Sequence, residues 1–185
     1  MSMRPWRLVI ALVAAGIPAL PALRAQEGAR DELGPPPFTA AQIQEATRAG
    51  RRYLFKIEAP GEPVQFQLME FTAVSAAGAT LRQSTLDAER KPEGAPAEAE
   101  VTWSDLEAQG RFPRARTRVT EEELSLPAGK FACKVYRVDE PDVVVTHWFA
   151  TSLPGAPVKV EAKEGGHRLV FTMTLVEHVN PSKSE

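Results

Sequence analysis

Few residues in this 185-residue chain are spaced for chemistry. Cys133 is the only cysteine, and His147, His167 and His178 are the only histidines. No two histidines stand at i+2, i+3 or i+4, and no Cys pair or His-Glu-x-x-His occurs, so no metal-ligand set is written locally. Asp139 to Asp142, "DEPD", gathers three acids at a turn. It lacks the glycine and terminal glutamate of a calcium loop and reads as a solvated turn. Cys133 and His147 would make a nucleophile–base pair only if the fold joined them. Glu121, Glu122 and Glu123 are adjacent carboxylates. Neighbours in a strand point apart, whereas an acid–base pair needs facing groups. Gly-x-Ser-x-Gly, Ser-x-x-Lys and a phosphate-cradling glycine loop are all missing. The expectation is a protein with no catalytic residues, no metal and no cofactor.

The densest aromatic stretch is "HWFATSLPGAPVKVE", His147 to Glu161. Read at the strand period of two, Val143, Val145, His147 and Phe149 share one face, and Val144, Thr146, Trp148 and Ala150 the other. The ring triplet therefore does not converge on one point. Pro154 and Gly155 turn the chain, and Pro157 opens the next strand, where a missing N–H is tolerated. A lone histidine on an apolar face needs one hydrogen-bond partner to sit as a satisfied core residue. That is the expectation for His147. Cys133 lies on one strand face with Phe131 and Val135 and reads as a buried structural thiol.

These strands must be delivered to the right compartment. The chain begins with Arg4 and Arg7, then an uncharged apolar run of 13 residues from Leu8 to Leu20, then small residues. That is the order of a secretory signal peptide over residues 1–25, with cleavage between Ala25 and Gln26, or after Ala22. The run is shorter than the ~20 residues that span a bilayer. No cysteine near the cut is available for lipid attachment. Without residues 1–25, basic residues fall from 22 to 19 against 24 acids, a net charge of −5. That balance argues against a nucleic-acid binder. One cysteine excludes an intrachain disulfide in an oxidising compartment. The predicted location is the periplasm or the outside, with no stable membrane insertion after signal removal. The length fits one domain over residues 38–180, followed by a tail, 181–185.

Residues 26–37, "QEGARDELGPPP", read as a disordered leader. Thr39 with Gln42 has the spacing of a capping box, Phe38 and Ile43 that of a hydrophobic staple, and Gly50 stops the helix. "RRYLFKIE" alternates Tyr53, Phe55 and Ile57 against charge. "VQFQLMEF" changes phase at Leu68–Met69, which means two covered faces or a bulge. "ATLRQSTLDA" reads as an edge strand and residues 89–100 as a surface loop. Ser104 caps a second short helix that stops at Gly110. The remainder alternates through "KFACKVYRV", "VVVTHWFAT", "VKVEAK", an "EGGH" hairpin turn and "RLVFTMTLVEHV". The prediction is a mainly β fold: about eight antiparallel strands in a curved sheet or half-barrel, with two short helices.

That layout, with its "PAGKF" hairpin, aromatic strand and Pro-Gly corner before Val158-Lys159, resembles the secreted β-rich domains related to lipoprotein-carrier and lipoprotein-localisation half-barrels. The resemblance implies a curved sheet with an apolar concave face, on which carrier members accept acyl chains. Tyr53, Phe55, Phe66, Leu68, Val145, Phe149, Phe171 and Met173 are the candidates for that face. The ligand-binding set expected here is Phe55, Phe66, Val145, His147, Phe149, Phe171 and Met173. The partner would be an apolar or lipid-like small molecule, or alternatively an envelope protein meeting the surface of a filled core.

Overall fold

The computed structural model describes residues 32–181. The predicted signal peptide, its cleavage point, the start of the leader and residues 182–185 lie outside them. The described chain runs α1 (Ala40–Ala46), β1 (Arg52–Glu58), β2 (Gln65–Val74), β3 (Gly78–Leu86), β4 (Ala97–Thr102), α2 (Trp103–Ala108), β5 (Thr117–Leu126), β6 (Gly129–Asp139), β7 (Val143–Ala150), β8 (Lys159–Glu164) and β9 (Arg168–Val179), with a short 3₁₀ turn at Arg114–Arg116.

All nine strands form one antiparallel, unclosed sheet in the order β4-β3-β2-β1-β9-β8-β7-β6-β5. Strand β9 lies mid-sheet because its inner row, Phe171, Met173 and Leu175, is almost fully buried. It pairs with β1 and β8, and the register slips against each of them. A third slip falls between Phe71 and Ala73 of β2. Bulges bend a strand and add local twist, which curves the sheet. Leu169 belongs to a different row from Phe171: beyond the slip it is 43% exposed.

Four expectations need correction. The ninth strand, β4, lies in a segment read partly as a loop. Its pattern Ala97, Ala99, Val101 against Glu98, Glu100, Thr102 is a strand pattern in small residues, and β3 supplies the ladder. Strand β3 is therefore interior rather than an edge. Gly78 permits the pairing: a Cβ there would lie 2.1 Å from the Val101 carbonyl oxygen. The second helix is capped by Thr102, with Asp105 completing the capping box, two residues before the predicted Ser104. Residues 32–37, read as disordered leader, are ordered. Gly34 N–H donates to Phe112 O at 2.8 Å and Arg114 N–H to Glu32 O at 2.8 Å.

The first helix follows its sequence closely. Thr39 and Gln42 form the reciprocal capping box, and Phe38 and Ile43 are both buried. The helix ends at Ala46, and Gly50 takes its positive φ of 83° in the turn beyond.

Candidate functional site

The phase change at Leu68–Met69 sorts the sheet into two faces. Phe66 pairs with Leu86 and packs with Leu54 in a small cluster on one face. Met69 and Phe71 project to the other and join the main core with Tyr53, Phe55, Phe149, Phe171 and Met173. Both helices cover this inner face. Trp103 Nε1–H donates to Ser75 O at 3.2 Å, anchoring α2 over the β2–β3 turn. Glu107 Oε2 accepts from Ala40 N–H at 2.7 Å and so ties α2 to the start of α1. That bond, with Arg111 beside it, holds the Glu107 carboxyl below the usual carboxylate range.

Between cover and sheet lies a cavity of about 190 Å³. Its floor comes from Phe55, Phe71, Leu81, Phe149 and Met173, its roof from Ile43 and Leu106, and its rim carries Gln83, Asp105 and Gln109. An apolar cavity of about 150 Å³ holds one benzene, and ligand pockets begin near 300 Å³. The space therefore suits a single ring or a short chain, and is too small for a pair of long acyl tails.

One wall is aromatic. Phe112 lies 4.7 Å from His147, 5.5 Å from Tyr136 and 6.4 Å from Phe149, centroid to centroid. His147 lines the cavity and stacks on Phe149 at 6.2 Å. The residue is half-buried, and among the described residues no protein group is hydrogen-bonded to its ring. Burial pushes its pKa down to about 4, which keeps the ring neutral at ordinary pH.

Of the residues expected to form a ligand surface, Phe55, His147, Phe149 and Met173 line this cavity. Val145 and Phe171 lie in the same core without reaching it. Phe66 does not belong to the set, because it sits on the opposite face with Leu54 and Leu86. Leu81, Phe71 and Phe112 were missed. Leu81 and Phe71 sit opposite each other across β3 and β2, and the phase change was the available signal for Phe71.

The opposite face separates the remaining chemical groups. Cys133 pairs with Ala150, and His147 with Tyr136, so thiol and imidazole lie on different sides of the sheet. Among the described residues no group of three or more His, Cys, Asp or Glu is placed to hold a metal, and no helix is long and apolar enough to cross a membrane.

No family model and no curated protein matches this chain. Solved structures do share its fold. MucB of Pseudomonas aeruginosa, in its complex with MucA, superposes with a TM-score of 0.52 at 12% identity, over 76% of this chain and 56% of that one. The chain thus spans little more than half of MucB. A Parabacteroides distasonis protein described as a lipoprotein gives 0.50 at 10% identity, over 71% of this chain and 96% of that one. A Bacteroides fragilis protein described as exported, with a YmcC-like fold, gives 0.49 at 12% identity, over 72% and 97%. At these identities the likeness is one of fold.

Proposed function

We propose that this chain is an exported, non-catalytic binding protein of the cell envelope that receives one small apolar group in the cavity between its helices and its sheet. The signal peptide of residues 1–25 delivers it, and residues 38–180 act as one domain. The observation that carries the reading is the cavity itself. It is mainly apolar, of about 190 Å³, and partly covered by two short helices rather than by a third layer. A filled core would place side chains there, since folded interiors are close-packed with few voids larger than a water. The half-barrel resemblance supports an acyl occupant, and the cavity volume restricts it to a short or single chain.

A second reading is favoured by a different observation. The fold is shared with MucB, whose solved complex contains the protein MucA. A partner protein could insert one apolar side chain between α1 and α2.

Native mass spectrometry decides between them, on protein exported from the full chain and purified from periplasm without detergent. Adduct mass that vanishes on denaturation and resolves as small acyl species is the expected result. A bare polypeptide, with no lipid in its organic extract, would sink the small-ligand reading and leave the protein partner. The same spectrum reports whether the chain begins at Gln26.

A further inference from the structure

Tyr53 and Phe55 lie on the inner face of β1, and Arg51 immediately precedes the strand. Phe55 lines the cavity. Tyr53 stacks on Phe55 at 5.9 Å with a 16° interplanar angle. The Arg51 guanidinium lies 4.9 Å from the Tyr53 ring centroid. The three form a ladder leading out of the apolar space, about 13 Å long at the strand rise.

The far end of that ladder is unusual. Arg51 is only 1% exposed and Tyr53 only 2%. Arg51 Nη1 donates to Thr47 Oγ1 at 3.1 Å and to the Pro154 carbonyl at 2.9 Å. Its Nε and Nη2, and the Tyr53 hydroxyl, make no hydrogen bond of full geometry; guanidinium and hydroxyl interact only loosely with each other. Among the described residues no carboxylate pairs with it. A guanidinium stays charged, and burying a charge is costly unless it is paired. The two orphaned nitrogens are adjacent and form the side edge that grips a carboxylate with two parallel bonds.

Neither Arg51 nor Tyr53 lines the cavity itself, but Gly155 borders both the cavity and the Tyr53 hydroxyl. A Cβ built on this glycine would lie 3.7 Å from the Tyr53 hydroxyl oxygen. Its φ of +133° disfavours any side chain. Gly155 lies in the corner whose Pro154 carbonyl Arg51 already holds.

We propose that Arg51 and Tyr53 bind the single anionic head group of a short-chain amphiphile, a carboxylate, whose tail occupies the cavity. This rests on the reading that the cavity accepts an apolar group. The tail fits the space measured above. The head satisfies Nε, Nη2 and the hydroxyl together, and the bend between them passes Gly155.

The test compares octanoate, 1-octanol and acetate by calorimetry at pH 7.5 on the exported protein. Octanoate should bind at least about tenfold more tightly than octanol, as charged hydrogen bonds do, and acetate should not register at the same concentrations. Arg51→Met should lower octanoate to the level of octanol and leave octanol unchanged. Tyr53→Phe, which removes only a hydroxyl, should weaken octanoate several-fold with the melting temperature retained. It decides the matter if Arg51→Met fails to fold. Equal binding of octanoate and octanol, or an unchanged ratio in Tyr53→Phe, would overturn the head-group assignment while leaving the cavity reading intact. Acetate binding as tightly as octanoate would make this a site for free anions and overturn it too. If neither eight-carbon probe binds, the cavity reading itself fails and takes this assignment with it.

Discussion

His147 and Trp148 are neighbours in sequence and opposites in environment. Trp148 Nε1–H donates to Glu122 at 2.5 Å, and Lys159 Nζ stands 4.9 Å from the centre of its ring. Lys159 in turn pairs with Glu161 at 2.6 Å, and Lys163 reaches the same carboxylate at 3.2 Å. These polar groups of that face are matched to one another. His147 sits among Phe112 and Phe149 with no hydrogen bond from the described residues. One face of the sheet is finished by the chain itself. The other carries orphaned polar groups and unfilled volume. In a folded interior that combination is expensive, and the proposed binding role rests on it.

The largest test of this contrast removes a ring from each face. Phe149 is 3% exposed and borders the cavity, and Phe66 is 8% exposed in the cluster with Leu54 and Leu86. Phe149→Ala should cost about 3–5 kcal/mol in urea unfolding and should enlarge the cavity. Phe66→Ala should cost about 3 kcal/mol at most, because Arg90, 5.0 Å from its ring centre, and solvent already border it. Only the first should change the mass or amount of bound ligand. Loss of ligand in Phe66→Ala with retention in Phe149→Ala would reverse the assignment of faces.

A smaller effect isolates His147. Folded, its pKa is about 4; its ordinary value is 6.5. Between these two values the unfolded chain takes up a proton that the folded chain refuses. Stability is therefore full above pH 6.5, declines as the pH falls to about 4, and levels off below. The shift corresponds to at most about 3 kcal/mol. His147→Gln, which cannot titrate, should flatten that part of the profile, read as urea midpoints at pH 7 and pH 4.5. An unchanged acid slope would mean that the ring is solvated in the folded state.

How much of this was readable beforehand differs between the same two regions. The fold class, the inner row of β7 and the first capping box follow from local rules: period two, and Thr39 three residues before Gln42. Strand β4 did not follow, because Ala97 and Ala99 carry too little apolar surface to mark a face. Its existence depends on the β3 ladder and on Gly78. Phe66 was assigned to the wrong face for a related reason. Both phases of "VQFQLMEF" are apolar, and only the neighbour strand decides which is inner. Arg51 gave no signal, since arginine after a Gly turn is ordinarily solvated. Its burial comes from the Pro154 carbonyl, 103 residues away.

The smallest expected effect belongs to Cys133, on the finished face. It is 2% exposed, and burial, with the Glu122 carboxylate across the strand pair, pushes its thiol up to about 11. The thiolate is the reactive form, so a folded chain at pH 7.5 holds almost none of it, and what forms is covered. An aromatic disulfide reagent should leave the native protein unlabelled over hours and label it fully in urea. The labelling rate at intermediate urea should track global unfolding rather than local opening. Labelling of the native chain at the rate of a free thiol would show that the finished face opens as readily as the other. The contrast between His147 and Trp148 would then reflect side-chain chemistry alone, with no difference in packing behind it.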